Sequence, residues 1–168
     1  MDGKRPVEVV VAVDDVRAAD VRALVERHLA FAAEHTPAEH VHALGPESLL
    51  HPAVTVYGAR VEGELAGVGA LRQLDGTHGE LKSMHTNPAF RRLGVARALV
   101  EHLLAVAAAR GYQRVSLETG TMDAFGPARA LYLKEGFEPC EPFGEYTANP
   151  YSVCMTMALA GRDPAAGA

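Results

Sequence analysis

The chain has little of several things, and each shortage excludes a class of protein. Only two cysteines, Cys140 and Cys154, occur in 168 residues. Without metal-type spacing, two such residues read as reduced thiols and not as a disulfide framework. No run approaches the roughly 18 apolar residues of a membrane span, and the opening Met1 to Pro6 is polar with no apolar stretch behind it. No membrane association is expected, and the expected location is the cytoplasm. Basic residues form no long block and the formal net charge is −5, which argues against a nucleic-acid surface. There is no internal repeat, no domain linker, no Gly-Lys-Ser/Thr phosphate loop and no three-glycine dinucleotide fingerprint.

What is present is an apolar fraction of 48% with mean hydropathy near zero. A chain of this length and composition can bury a core without metal or disulfides. One domain is expected over residues 1–161, followed by a disordered small-residue tail at 162–168.

The most informative stretch runs from Glu80 to Arg110. Glu80 to Thr86 reads as a strand, and Asn87-Pro88 stops it because proline brings no N–H to a sheet ladder. From Val95 apolar residues recur at 95, 98, 99, 103 and 106, which predicts a helix ending at Arg110-Gly111. Between strand and helix lie Arg91, Arg92, Leu93, Gly94, Val95 and Ala96. A helix start has N–H groups without intrahelical partners and partial positive charge, so a glycine there lets an anion approach the backbone. The two neighbouring arginines add fixed charge, and the combination predicts an anion site.

Arg91, Gly94 and Ala96 match the acetyl-CoA-binding pattern of the GNAT superfamily of N-acetyltransferases. The run Leu131-Tyr132-Leu133-Lys134-Glu135-Gly136-Phe137 resembles that family's tyrosine-bearing helix and the Gly-Phe after it. The resemblance covers roughly residues 7 to 159. It implies an α/β (α+β) fold: a mixed, mostly antiparallel sheet of six to seven strands flanked by about four helices. It implies acetyl-CoA as co-substrate, with no metal, held by residues 91–96 and by the backbone of Met84, His85 and Thr86. It also implies Tyr132 near the cofactor sulfur as a proton donor, and a glutamate base at the strand position of Glu80. By spacing, Phe125 falls where many relatives carry an asparagine, so an amide contact to pantetheine is not expected here.

The rest of the chain is consistent with that plan. Val7–Val13 reads as a largely buried strand and 20–33 as a helix. Residues 34–52 are broken by Pro37, Gly45, Pro46 and Pro52 and hold His35, His40, His42 and His51. No cysteine or regular carboxylate set completes a metal site with them. Residues 54–60 and 65–74 form a hairpin, in which Gly67 and Gly69 predict a bulge or a close backbone approach. Residues 114–119, 127–134 and 152–159 give a strand, a short helix and a last strand.

By analogy with the family, residues 34–52 wall the acceptor site, which makes His35, Thr36, Glu39 and His42 candidates for substrate contact beside a solvated-loop reading. In strand alternation Glu80, Lys82, Met84 and Thr86 share one side. Glu80, Glu118, Asp123 and Glu145 could favour a cationic amine, and Arg72 and Lys82 a carboxylate, a set that suits an amino acid or similar metabolite. The expected activity is acetyl transfer to a small primary amine within a ternary complex, and a homodimer is compatible with it. The rivals are a protein or peptide acetyltransferase, marked by an open groove, and a non-catalytic acyl-CoA sensor.

Overall fold

The computed structural model describes residues 5–160; residues 1–4 and the whole of the expected tail at 162–168 lie outside the described residues. The elements are β1 (Val10–Val13), α1 (Ala19–His35), β2 (Val54–Val61), β3 (Glu64–Gln73), β4 (His78–Thr86), α2 (Val95–Ala109), β5 (Arg114–Gly120), α3 (Gly126–Glu135), β6 (Glu138–Cys140) and β7 (Ser152–Ala158). Single 3₁₀ turns at Ala38–His40, Ser48–Leu50, Pro88–Phe90 and Asp123–Phe125 supplement the three α-helices. None of the described helices is long and apolar enough to cross a membrane.

The strands form one seven-stranded sheet in the order β1-β2-β3-β4-β5-β7-β6, antiparallel except for the β4–β5 pair. This is the mixed, mostly antiparallel sheet expected. β1 is shorter than the predicted Val7–Val13 and is not largely buried: Val10 and Val13 are exposed. It is an edge strand, and a β-branched run reads the same whether one neighbour covers it or two.

The sheet is covered on both faces. On one, Val21, Leu24 and Val25 of α1 pack with Val56, Leu65, Val68 and Ala70. On the other, the apolar stripe of α2 (Leu99, Leu103, Leu104 and Ala107 among them) packs with Tyr57, Leu71, Leu81, Leu117 and Phe137. α2 ends at Arg110 and at Gly111, whose φ of +82° is the left-handed conformation a helix stop of this kind uses. The predicted close approach at Gly67 is real: a Cβ there would lie 2.7 Å from Val95 Cγ1 and 3.2 Å from the His85 carbonyl oxygen.

Two features of β4 shape the site. Its parallel pairing with β5 runs only from His78↔Arg114 to Leu81↔Leu117, although β4 continues to Thr86 and β5 to Gly120. Just beyond that fork, β3 pairs Ala70 with Lys82 and Val68 with His85, so Ser83 and Met84 together oppose Gly69. Ser83 takes a φ of +57° to make this bulge. An extra residue inverts the alternation. Glu80 and Lys82 do share a side, but the sulfur of Met84 lies against Gly69 beside Leu103 of α2, while His85 faces His28 and Phe31 of α1. The expectation that Met84 lies on the side of Glu80 and Lys82 is therefore corrected, since period-two counting fails across a bulge.

Gly67→Ala should lower stability by about 1–3 kcal/mol, because the backbone carbonyl and the branched Val95 around it have no room to yield. A urea midpoint equal to that of the parent chain would show that α2 can lift off the sheet at no cost.

Candidate active site

A cavity of about 810 Å³ opens where β4 and β5 part. Its floor is β4 from Leu81 to Thr86 and β5 from Leu117 to Gly120, and it runs from the start of α2 to Tyr132 on α3 and to residues 40–44. Because β4 and β5 form no ladder pair beyond Leu81↔Leu117, the edge of β4 from Lys82 to Thr86 that faces β5 is left without a strand partner.

At one end the turn before α2 is built for an anion. Gly94 is the N-cap of this 15-residue helix, with φ +79° and ψ +18°, and no side chain caps the first-turn amides. A Cβ at Gly94 would meet nothing within 4 Å, so the space above these amides is open. Arg91, Arg92, Gly94, Val95 and Ala96 all line the cavity; Leu93 does not, and its side chain is exposed. Ser83, at the bulge between this end and the fork, lines the cavity with a buried hydroxyl that has no hydrogen-bond partner. A buried hydroxyl is rarely left unpaired. Together with the unpaired edge of β4, this donor and acceptor set fits a phosphate-bearing group with a polar arm.

At the other end, titratable groups converge. Tyr132 is buried, packs edge-to-face on Phe137 at 5.8 Å and lines the cavity. Burial, and then the charge of Glu118, raise its phenol above the ordinary tyrosine range. Glu118 also lines the cavity, and burial raises its carboxyl to about 7 against the pull of Lys82 and of a Ser152 hydrogen bond. Lys82 Nζ donates to Tyr146 Oη at 2.7 Å and to Glu80 Oε2 at 3.3 Å, and Tyr146 Oη donates to the same oxygen at 2.6 Å. Glu80 is 1% exposed and sits behind these two partners, off the cavity lining that Lys82 and Tyr146 form. Burial first, and then Glu80, hold the Tyr146 phenol protonated far above its usual range.

The predicted acceptor contacts divide. His42, Lys82 and Glu118 line the cavity, His35 lines a shallow adjoining recess with Asp123, and Glu39 is exposed and lines neither. His42 packs on Tyr146 at 5.1 Å between ring centroids and His40 on Tyr151 at 4.9 Å, so two contacts tie residues 40–44 to residues 143–151 and roof the cavity. His51 turns away and accepts from the Ala53 amide. Phe125 lies against Gly120, with its ring edge-on to Phe31 at 5.3 Å. Arg72 and Glu145 are not on the lining.

Two groups were not predicted for the site. Tyr146 lies in a loop with no motif. The other is His28, whose Nδ1 is 3.2 Å from that of His85, and both rings line the cavity. Burial lowers each imidazole to about 4. Helical spacing places His28 on the inner face of α1, but nothing in the sequence pairs it with a residue 57 positions away.

Gly94→Trp should abolish acetyl-CoA binding while Gly94→Ala keeps most of it, since the left-handed φ costs both variants about 1–2 kcal/mol and only the indole fills the space over the amides. Calorimetric titration with acetyl-CoA reads the difference; equal affinities in two folded variants would remove the anion site from this turn.

The model of the Acetyltransferase (GNAT) family matches residues 20–137. The chain is 46% identical over 149 residues to YsnE of Bacillus subtilis (strain 168), an uncharacterized N-acetyltransferase, covering 89% of this chain and 99% of that one. It is 43% identical over 149 residues to YedL of Escherichia coli (strain K12), likewise an uncharacterized N-acetyltransferase, covering 89% and 94%. Among solved structures, a GNAT family acetyltransferase from Elizabethkingia anophelis with acetyl-CoA bound superposes with a TM-score of 0.67 at 17% identity, covering 90% of this chain and 98% of that one. With the forked β4–β5 pair, the glycine-capped helix and a family match over most of its length, the chain belongs to the GNAT acetyltransferase family and is an acyltransferase.

Proposed function

We propose that the protein transfers the acetyl group of acetyl-CoA to a primary amine of a small molecule, an amino acid or similar metabolite, by direct attack within a ternary complex. The observation that carries this reading is the roof. The His40–Tyr151 and His42–Tyr146 contacts join residues 40–44 to residues 143–151 on the side of the cavity that holds Lys82 and Glu118, which narrows it for a compact acceptor where a long peptide needs an open groove. The first-turn amides of α2 with Arg91 and Arg92 take the phosphates, and the Ser83 hydroxyl with the free edge of Met84 to Thr86 takes the pantetheine arm. When bound, acetyl-CoA supplies a thioester whose carbonyl carbon an amine can attack.

Attack requires a neutral amine, and amines arrive mostly protonated near pH 7. A base must be ionised in part at working pH, reach the acceptor and hold the proton it takes. Glu118 meets these needs: it lines the cavity, and its carboxyl titrates at about 7. Glu80, placed as the base by the resemblance, has one carboxylate oxygen already accepting from Tyr146 and Lys82. Its role in this scheme is to hold those two groups. Lys82 then has one ammonium N–H beyond the two that Tyr146 and Glu80 engage, suited to a carboxylate on the acceptor. A phenol raised above its usual pKa of about 10 keeps its proton beside a thiolate whose conjugate acid has a pKa near 8.5. Tyr132 thus acts by donating a hydrogen bond to the departing sulfur.

A panel of amines with thiol release as readout tests the activity. Turnover on amino acids but not on peptides is the expected result; acetyl-CoA binding with no turnover on any amine would make the protein a sensor. In the parent enzyme kcat/KM should climb through about pH 7 as the Glu118 carboxylate forms. Glu118→Gln should lose that limb and about 10²–10⁴ in rate, with the deficit shrinking above the pKa of the acceptor amine. Glu80→Gln should instead cost stability, about 3–5 kcal/mol if the change strands the buried Lys82 charge, with the pH profile kept. A flat loss at all pH for Glu118→Gln would assign it to acceptor positioning. Tyr132→Phe should lower kcat with acetyl-CoA affinity unchanged.

A further inference from the structure

Across one end of the sheet, three side chains stand in a row. Glu118 of β5 is paired with Cys154 of β7, and Cys154 with Cys140 of β6. Residues directly opposite in antiparallel strands point to the same face with Cα atoms about 4.5–5.5 Å apart. That lies within the roughly 4.4–6.8 Å over which two cysteines can be bridged. Both are free thiols, Cys140 partly exposed and Cys154 buried, and the two are close enough that the charge of Cys140 helps to raise the Cys154 thiol, a rise due first to burial.

Their position gives the pair a consequence. The chain leaves β6 at Cys140 and re-enters the sheet at Ser152, and the segment between carries Phe143, Tyr146 and Tyr151. Tyr146 and Tyr151 are the roof residues, Phe143 packs on Tyr146 at 5.1 Å, and the Phe143 amide donates to the Cys154 sulfur. β6 holds this segment weakly, being a three-residue edge strand with Pro139, which has no N–H, at its centre.

We propose that Cys140 and Cys154 are a modification site for low-molecular-weight disulfides such as oxidised glutathione, forming a reversible cross-strand disulfide that pins residues 141–151 and restricts acceptor exchange. The second half of this inference rests on the cavity being the acceptor site. The Cys140 thiolate attacks one sulfur of oxidised glutathione, whose S–S bond breaks and releases one glutathione thiolate. The Cys154 thiolate then attacks the Cys140 sulfur, forming the internal bond and expelling the second. The protons lost by the two cysteines end on two reduced glutathiones, and the protein gives up two electrons to the oxidant. Burial raises both thiols, which leaves little thiolate and makes the reaction slow.

The test equilibrates the full chain in oxidised and reduced glutathione. The expected product has a mass lower by about 2 Da, with both titratable thiols lost and amide hydrogen exchange slowed in residues 141–151. Acceptor kcat/KM should fall about fivefold, as for a restrained lid, with acetyl-CoA affinity unchanged and full recovery in dithiothreitol. Cys140→Ser and Cys140→Ala should keep the parent activity and show none of these responses. A persistent glutathione adduct on Cys140 without the internal bond would overturn the site. A bridge that leaves exchange in 141–151 unchanged would overturn the pinning. Mass and exchange are read without any acceptor, so absence of amine turnover would count against the proposed reaction and leave these two results standing.

Discussion

The parting of β4 from β5 after Leu81↔Leu117 is the constraint on which the rest of the molecule depends. A sheet that stayed paired to Thr86 would satisfy every backbone group and leave no cavity. Here the bulge at Ser83 bends β4 away after four parallel pairs, so one strand edge is free to bond a ligand. The same bulge sends Met84 to the α2 side and His85 to the α1 side. The two ends of the cavity depend on it as well. The chain leaves β4 at the angle that brings Gly94 and the first amides of α2 over the gap, and Glu118 is the first residue of β5 beyond the fork.

Around that gap, the two carboxylates have different neighbours. Glu80 is almost wholly buried but has a lysine and a phenol donating to it, the condition under which a buried charge is tolerated. Glu118 is less buried and less completely satisfied, and its carboxyl is pushed up to about 7. Two glutamates on adjacent strands thus sit in different surroundings: Glu80 is engaged by Lys82 and Tyr146, and Glu118 lines the cavity.

The roof is the part of this arrangement that loops supply. It is made of ring contacts between two loops, His40 on Tyr151 and His42 on Tyr146, and neither loop is held by a long strand. The second loop is further tied down by Tyr146 Oη, which bonds Glu80 and Lys82, and by the amide and hydroxyl of Thr121, which donate to the Tyr151 and Pro150 carbonyls.

Much of the fold and one end of the site were legible in the sequence, because local chemistry decides them. The period of the apolar residues gives α2 its buried stripe, Gly111 and Gly136 stop two helices, and Arg91, Arg92 and Gly94 lie in one short turn whose geometry follows from being at a helix start. The family pattern of the same residues, with Tyr132, pointed to the cofactor. What only the tertiary structure decided are relations between residues distant in sequence. Nothing local to Glu80 says that Tyr146, 66 positions on, would occupy its carboxylate and leave it off the cavity lining. Nor does spacing place Cys140 opposite Cys154, or reveal that Ser83 adds a residue to β4 and breaks the alternation by which Met84 was put beside Lys82. Strand register, bulges and loop contacts arise from packing across the sheet, and period-two patterning in one strand carries no information about them.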